Sequence, residues 1–159
     1  MVKFRIVSCI VGLVLLMGGV AHAALLGLTL GTPDITSSFV SVNYNATSDE
    51  FNAQGIAMTL DLDGVAPPDF NIANGLFSIN ASIDGSGTAT AGTLTINGSV
   101  NAAGPSLLTG TLSQFGYMDS PGGEVFEFLF SPIGGDLAGA FKNGPVGVIL
   151  DAVNSGFTG

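Results

Sequence analysis

The sequence predicts an all-β chain: an antiparallel β-sandwich or closed β-barrel of about eight to nine short strands. Three observations lead there. Apolar and small polar residues alternate with period two on at least four segments, the pattern of half-buried strands. Short clusters of Gly, Pro, Asp and Asn separate those segments. No stretch of comparable length places apolar residues at i, i+3, i+4 and i+7, so helix is not expected.

The alternating segments come in order. Val40, Val42 and Tyr44 alternate with Ser41 and Asn43. Ile56, Met58, Leu60 and Leu62 would share the core face, leaving Ala57, Thr59 and Asp61 on the other. Phe77, Ile79, Ala81 and Ile83 form the next inward row, then Leu94, Ile96, Gly98 and Val100. Further strands are expected at 25–31, 107–117, 124–130 and 146–153. Within 107–117 the phase slips: Leu108, Gly110 and Leu112 have one parity, Phe115 and Tyr117 the other. A β-bulge near Ser113-Gln114 would return both sets to the core. The run Val125-Phe126-Glu127-Phe128-Leu129-Phe130 is apolar on nearly both faces, as expected of a central strand covered on both sides or of one lying against a partner. The expected core is therefore Ile56, Met58, Leu60, Leu62, Phe77, Ile79, Ile83, Leu94, Ile96, Val100, Leu112, Phe126 and Phe128. Asp84-Gly85-Ser86-Gly87 reads as a hairpin loop. Asp63-Gly64 followed by Pro67-Pro68 ends a strand in a longer loop, and residues 133–142 read as one helical turn or a loop.

Residues 1–23 predict a secretory signal. Lys3 and Arg5 make a basic start, Ile10 to Val20 is an uncharged apolar run, and Ala21-His22-Ala23 supplies small residues for cleavage before Ala24. Residues 24–159 then form a single β domain, secreted, with no membrane span after cleavage. The run is nearer the length of a signal than the roughly 20 residues of a spanning helix. Residues 153–159 stop in mid-pattern, which predicts a chain continuing past Gly159, where any C-terminal anchor would lie.

Beyond residue 23 the chain has no Cys, His or Arg, and Lys142 is the single base against 12 acids, a formal charge near −11. That inventory excludes a disulfide, a thiol nucleophile, a Ser-His-Asp triad, a His- or Cys-held metal and a bidentate arginine clamp. So acidic a chain does not neutralise phosphates, so no nucleic-acid partner is expected. Two chemistries survive, paired-carboxylate work and hard-cation binding by oxygen ligands.

Asp61, Asp63 and Asp69 fall on a glycine-containing turn, which suits calcium, although no Glu closes an EF-hand spacing. The plainer reading makes them solvent-facing strand-end and loop residues. Glu124 and Glu127 stand three apart on one expected strand, so they point to opposite faces and cannot flank one glycosidic bond. Asn45-Ala46-Thr47, Asn80-Ala81-Ser82 and Asn97-Gly98-Ser99 match the glycosylation sequon by chance in a chain rich in Asn, Ser and Thr. Phe126, Phe128 and Phe130 read as core rather than as a contact surface. Lys142 lies in Phe-Lys-Asn-Gly-Pro, a turn where an ammonium stays hydrated. No catalytic, cofactor-binding or metal residue is assigned, and the chain is not expected to be an enzyme.

Thr32-Pro33-Asp34-Ile35, Leu60-Asp61-Leu62-Asp63-Gly64, Leu107-Leu108-Thr109-Gly110-Thr111-Leu112, Phe126-Glu127-Phe128-Leu129-Phe130 and Gly135-Asp136-Leu137-Ala138 resemble stretches in a group of uncharacterised secreted bacterial proteins of the PEP-CTERM type. Many of these end in a sorting tail recognised by an exosortase; up to Gly159 this sequence shows no such tail. The resemblance implies a protein of the cell surface and extracellular matrix, and it carries over no catalytic residues. The expected function is that of a secreted, non-enzymatic structural or matrix-associated protein, with extracellular polysaccharide or other matrix proteins as partners. The alternative is a calcium- or polysaccharide-binding β module.

Overall fold

The structure is a computed structural model that describes residues 24–120 and 123–157. The expected signal at 1–23 lies outside the described residues. Eight strands form one antiparallel sheet: β1 (Asp34–Asn45), β2 (Glu50–Asp61), β3 (Phe70–Asn71), β4 (Ala73–Ile83), β5 (Ala89–Ser99), β6 (Ser106–Ser120), β7 (Gly123–Gly134) and β8 (Val146–Ala152). Their order is β1-β2-β4-β5-β6-β7-β8, with the two-residue β3 added beside β2. The sheet curls into a nearly closed barrel, and no helix occurs among the described residues. Of the two expected architectures, the barrel is therefore the one adopted.

An up-and-down order follows from the short connections. The loop between β4 and β5 is the expected hairpin turn, closed by Asp84 N–H donating to the Thr88 carbonyl at 3.0 Å. Residues 133–142 run from the end of β7 into a tight turn in which Phe141 N–H donates to the Leu137 carbonyl at 3.2 Å.

The inner surface is apolar. Phe77, Ile79, Ile83, Leu94, Ile96, Val100, Leu60, Phe126 and Phe128 are buried as expected, and Leu112 packs against them partly buried. The bulge also stands where the phase slip places it. Leu112 opposes Phe130 and Gln114 opposes Leu129, leaving Ser113 as the extra residue. Phe115 and Tyr117 are thereby buried along with Leu108. Ser113 Oγ donates to the Leu129 carbonyl at 2.8 Å, which holds the bulge in place.

Two expectations are corrected. Ile56 and Met58 are each 44% exposed on the outer face and Leu62 lies in the loop after β2, whereas Phe51, Ala53 and Ala57 face the core. Pairing with β4 supplies the reason: Phe51 opposes Ala81, Ala53 opposes Ile79 and Gly55 opposes Phe77. Each bulky inward side chain meets a small one across the pair, so the narrow interior admits only small residues on that stretch of β2. Thr36 opposes Thr59 and Ser37 opposes Ala57, so Met58 is bulged and Leu60 returns to the core. The second correction concerns 25–31, which forms no strand: Gly27 takes a left-handed φ of 74°, and the Gly27 and Leu28 amides bond the Glu127 carboxylate instead of a strand.

The free edges are β1 and β8, the two ends of the strand order. At one end of the barrel the chain after β8 bridges this seam. Tyr44 N–H donates to the Ser155 carbonyl at 2.9 Å, and Phe157 inserts between Tyr44 and Tyr117, both at 4.7 Å between ring centroids. Residues 153–157 thus plug the barrel.

Candidate functional site

The sequence singles out acids, and the fold distributes them to three places. Asp61 closes β2, opposite Asp34 at the start of β1. Asp63 and Asp69 follow in the loop to β3. Asp61, Asp63 and Asp69 bring one carboxylate oxygen each to within 4.8 Å of one another, and among the described residues they are the one group of potential metal-ligating side chains so placed. Burial raises the Asp34 carboxyl above its ordinary value, an effect offset in part by the Ile35 amide and reinforced by the neighbouring Asp61 charge.

These carboxylates also hold their own loop. Asp61 Oδ1 accepts from the amides of Asp63 (3.1 Å) and Gly64 (2.7 Å). Asp63 Oδ1 accepts from Val65 N–H at 2.8 Å. Asp69 Oδ2 reaches back to Leu62 N–H at 2.7 Å. Such Asx-type bonds are what Asp supplies in tight turns. The donor set is chemically suited to a hard cation, but each carboxylate already serves a backbone amide.

Glu124 and Glu127 do lie on opposite faces of β7. Glu124 Oε2 accepts from Ser155 N–H at 2.9 Å, tying down the tail that plugs the barrel. Glu127 points outward but is only 4% exposed. Its Oε2 accepts from Gly27 N–H at 2.8 Å and its Oε1 from Leu28 N–H at 3.1 Å. The N-terminal segment is thus what covers the outer face of β7, and the strand is enclosed on both sides as its double-sided apolar pattern predicts. No cleft joins the two glutamates.

Asp84 and Asp136 repeat the theme. Asp84 Oδ1 accepts from Ser86 Oγ (2.6 Å), Ser86 N–H (2.9 Å) and Thr88 N–H (2.9 Å), and the Ser86 hydroxyl first, then Thr88, holds its carboxyl below the ordinary carboxylate value. Asp136 Oδ2 accepts from Gly104 N–H at 2.7 Å. Lys142 is exposed in its turn, as expected. Of the sequon asparagines, Asn80 and Asn97 lie within strands, and Asn45 ends β1 with its Oδ1 accepting from Thr47 N–H at 3.0 Å. Phe126, Phe128 and Phe130 are fully buried, as core.

Sequence reasoning missed the partners of the two glutamates. Both contacts join residues far apart in the chain, and no local pattern encodes them; the one available signal was a lone acid inside an otherwise aromatic strand.

Among the described residues no helix is long and apolar enough to cross a membrane. Comparison with known proteins gives no match among protein-family models, curated proteins or solved structures.

Proposed function

We propose that this chain is a secreted, non-enzymatic structural module of the bacterial cell surface, associated with matrix polysaccharide or other matrix proteins. One observation carries the reading. Asp61, Asp63, Asp69, Asp84, Asp136, Glu124 and Glu127 all accept hydrogen bonds from the chain's own backbone. General acid–base work needs a carboxyl aimed at a substrate position. Here these seven acids fasten loops and terminal segments, and the end of the barrel beneath the tail is filled by Phe51, Phe115, Phe126 and Phe128 next to Phe157. The strong negative charge keeps an exported protein soluble and separate from its copies. The apolar run and Ala-x-Ala site at 1–23, and the resemblance to PEP-CTERM-type proteins, support export to the surface.

The test is an assay of purified residues 24–159 against polysaccharide, ester and peptide panels, with and without calcium or magnesium. No turnover is expected; turnover lost when one Asp or Glu becomes its amide overturns the reading. Mass spectrometry of the exported protein should find Ala24 as the first residue.

The second reading is a calcium-binding module, favoured by the 4.8 Å cluster of Asp61, Asp63 and Asp69. It requires calcium to raise the melting temperature, and Asp63→Asn to abolish that rise.

A further inference from the structure

Glu127 is the sole charged side chain buried among the described residues, and what buries it is the chain's own N-terminal segment. Gly116 of β6, Glu127 of β7 and Ile149 of β8 form one outward row across three strands. Gly116 leaves that row open at one end: a Cβ there would collide with the Ala24 carbonyl oxygen and lie 2.9 Å from Leu26 N. Leu28 lies over Gly147 of β8, where an added Cβ would sit 3.1 Å from its Cδ1. Residues 24–28 therefore cross the outer face from β6 to β8 in a shallow groove cut by two glycines, with Glu127 at its centre holding two successive amides.

From Leu28 the chain passes over the seam to enter β1 at Asp34. Behind it lies a cavity of about 770 Å³, walled by residues 27–34 and reaching the inner side chains Phe77, Ile96 and Leu108. Both seam crossings are single segments, but they are fastened differently. The tail crossing buries Phe157 in an aromatic cluster. The N-terminal crossing has half-buried leucines and exposed residues from Thr29 to Thr32, and its hydrogen bonds converge on one carboxylate. Segments with few buried contacts open at lower free energy than the sheet they lie on.

We propose that residues 24–33 are a releasable strap over the seam between β1 and β8, with Glu127 as its latch, and that release admits small apolar molecules to the barrel interior. Desolvated under the strap, the carboxylate offers charge-assisted bonds to two amides that have no strand partner. The strap is held by its backbone, so its leucines need fit no deep pocket, and unlatching leaves the eight-stranded ladder intact.

The experiment uses the exported protein and two variants. Glu127→Ala removes both acceptors, and Gly116→Val wedges the groove from the other end. Amide exchange is followed at Gly27 and Leu28, with Ile79 of β4 as internal reference, and Nile red reports apolar access. In the unsubstituted protein Gly27 and Leu28 exchange more slowly than Leu30. In both variants their exchange accelerates roughly ten- to a hundredfold, the scale of losing bonds to a charged acceptor. Ile79 is unchanged and Nile red emission rises. The proposal is overturned if Gly27 and Leu28 exchange as fast as Leu30 in the unsubstituted protein, if Glu127→Ala leaves their exchange unaltered, or if exchange accelerates with no gain in Nile red emission. Should Gly116→Val lose its sheet signal, Glu127→Ala decides alone.

Discussion

The β6–β7 hairpin and the β1–β2 hairpin are built alike, each a long antiparallel pair carrying a bulge, yet they relate to their sequences in opposite ways. In β6–β7 the bulky residues mark the core: Phe115, Tyr117, Phe126, Phe128 and Phe130 all point inward, and a single extra residue at Ser113 explains the change of parity. In β2 the bulky residues Ile56 and Met58 point outward, and Ala53 and Ala57 are the buried ones. The difference is one of volume. Phe51 packs 5.0 Å from Phe126 and 5.1 Å from Phe128 between ring centroids, so the aromatic wall of β7 reaches across to β2. Where Ile79 and Phe77 add their bulk from β4, the adjacent inward positions of β2 must be small. In a narrow barrel, hydrophobicity selects the inward face only where the opposing wall leaves room.

The strongest way to break this comparison is to empty the wall. Phe126 is fully buried and contacts Phe51 and Phe115. Phe126→Ala is expected to cost about 3–5 kcal/mol in denaturant unfolding. Ile79→Ala, on the strand that faces Ala53, should cost about 2–4 kcal/mol by the same mechanism. Next is the reverse change on β2. Ala53→Leu adds volume where Ile79 already fills the space, and overpacking should cost about 1–3 kcal/mol. A stabilised Ala53→Leu protein would show that β2 is small for some reason other than crowding. Combining Ala53→Leu with Ile79→Ala should recover part of both losses, because the two sites share one volume.

The same contrast sets what could be read in the sequence. Fold class, strand spans from β4 onward, the Ser113 bulge and the burial of the phenylalanine stripe follow from period-two patterning, a local property. The inward face of β2 does not, because it is decided by Phe77 and Ile79 some two dozen residues away. The acids divide likewise. Asp61, Asp63 and Asp84 make bonds within four residues, and their turn chemistry is visible in Asp-Leu-Asp-Gly and Asp-Gly-Ser-Gly. Glu127 binds Gly27 across 100 residues of sequence, and Glu124 binds Ser155 across 31. Their opposite orientation was legible from spacing; their partners were not.

A smaller effect separates the two ends of the barrel by pH. Asp84 has its carboxyl held below the ordinary value of about 3.9, so its contribution is present above that value and is lost as pH falls through the lowered one. Asp34, at the opposite end, has its carboxyl raised by burial. Ionised Asp34 therefore opposes folding at neutral pH, and that penalty is relieved as pH falls through its raised value. Thermal unfolding followed downward from neutrality should show Asp34→Asn as the variant that gains near neutrality and Asp84→Asn as the one whose acid loss is flattened. The opposite assignment would mean that the Asp34 side chain is hydrated.

The smallest expected effect is also the most direct check on the face assignment of β2. Ile56→Thr retains a β-branched side chain, so strand propensity changes little and burial dominates the result. Ile56 is 44% exposed on the outer face, and a substitution there should fall within about 0.5 kcal/mol of neutral. If Ile56 pointed inward as its alternation with Met58 and Leu60 predicts, the same change would bury a hydroxyl without a partner and cost several-fold more, about 1–3 kcal/mol. Met58 offers a second reading of the same question, because Ser38 Oγ lies 2.7 Å from its sulfur on the exposed surface. Met58→Thr should likewise be nearly neutral. A large loss at both Ile56 and Met58 would move the bulge from Met58 to a position before Ile56, and with it the point where β2 changes the face it turns to the core.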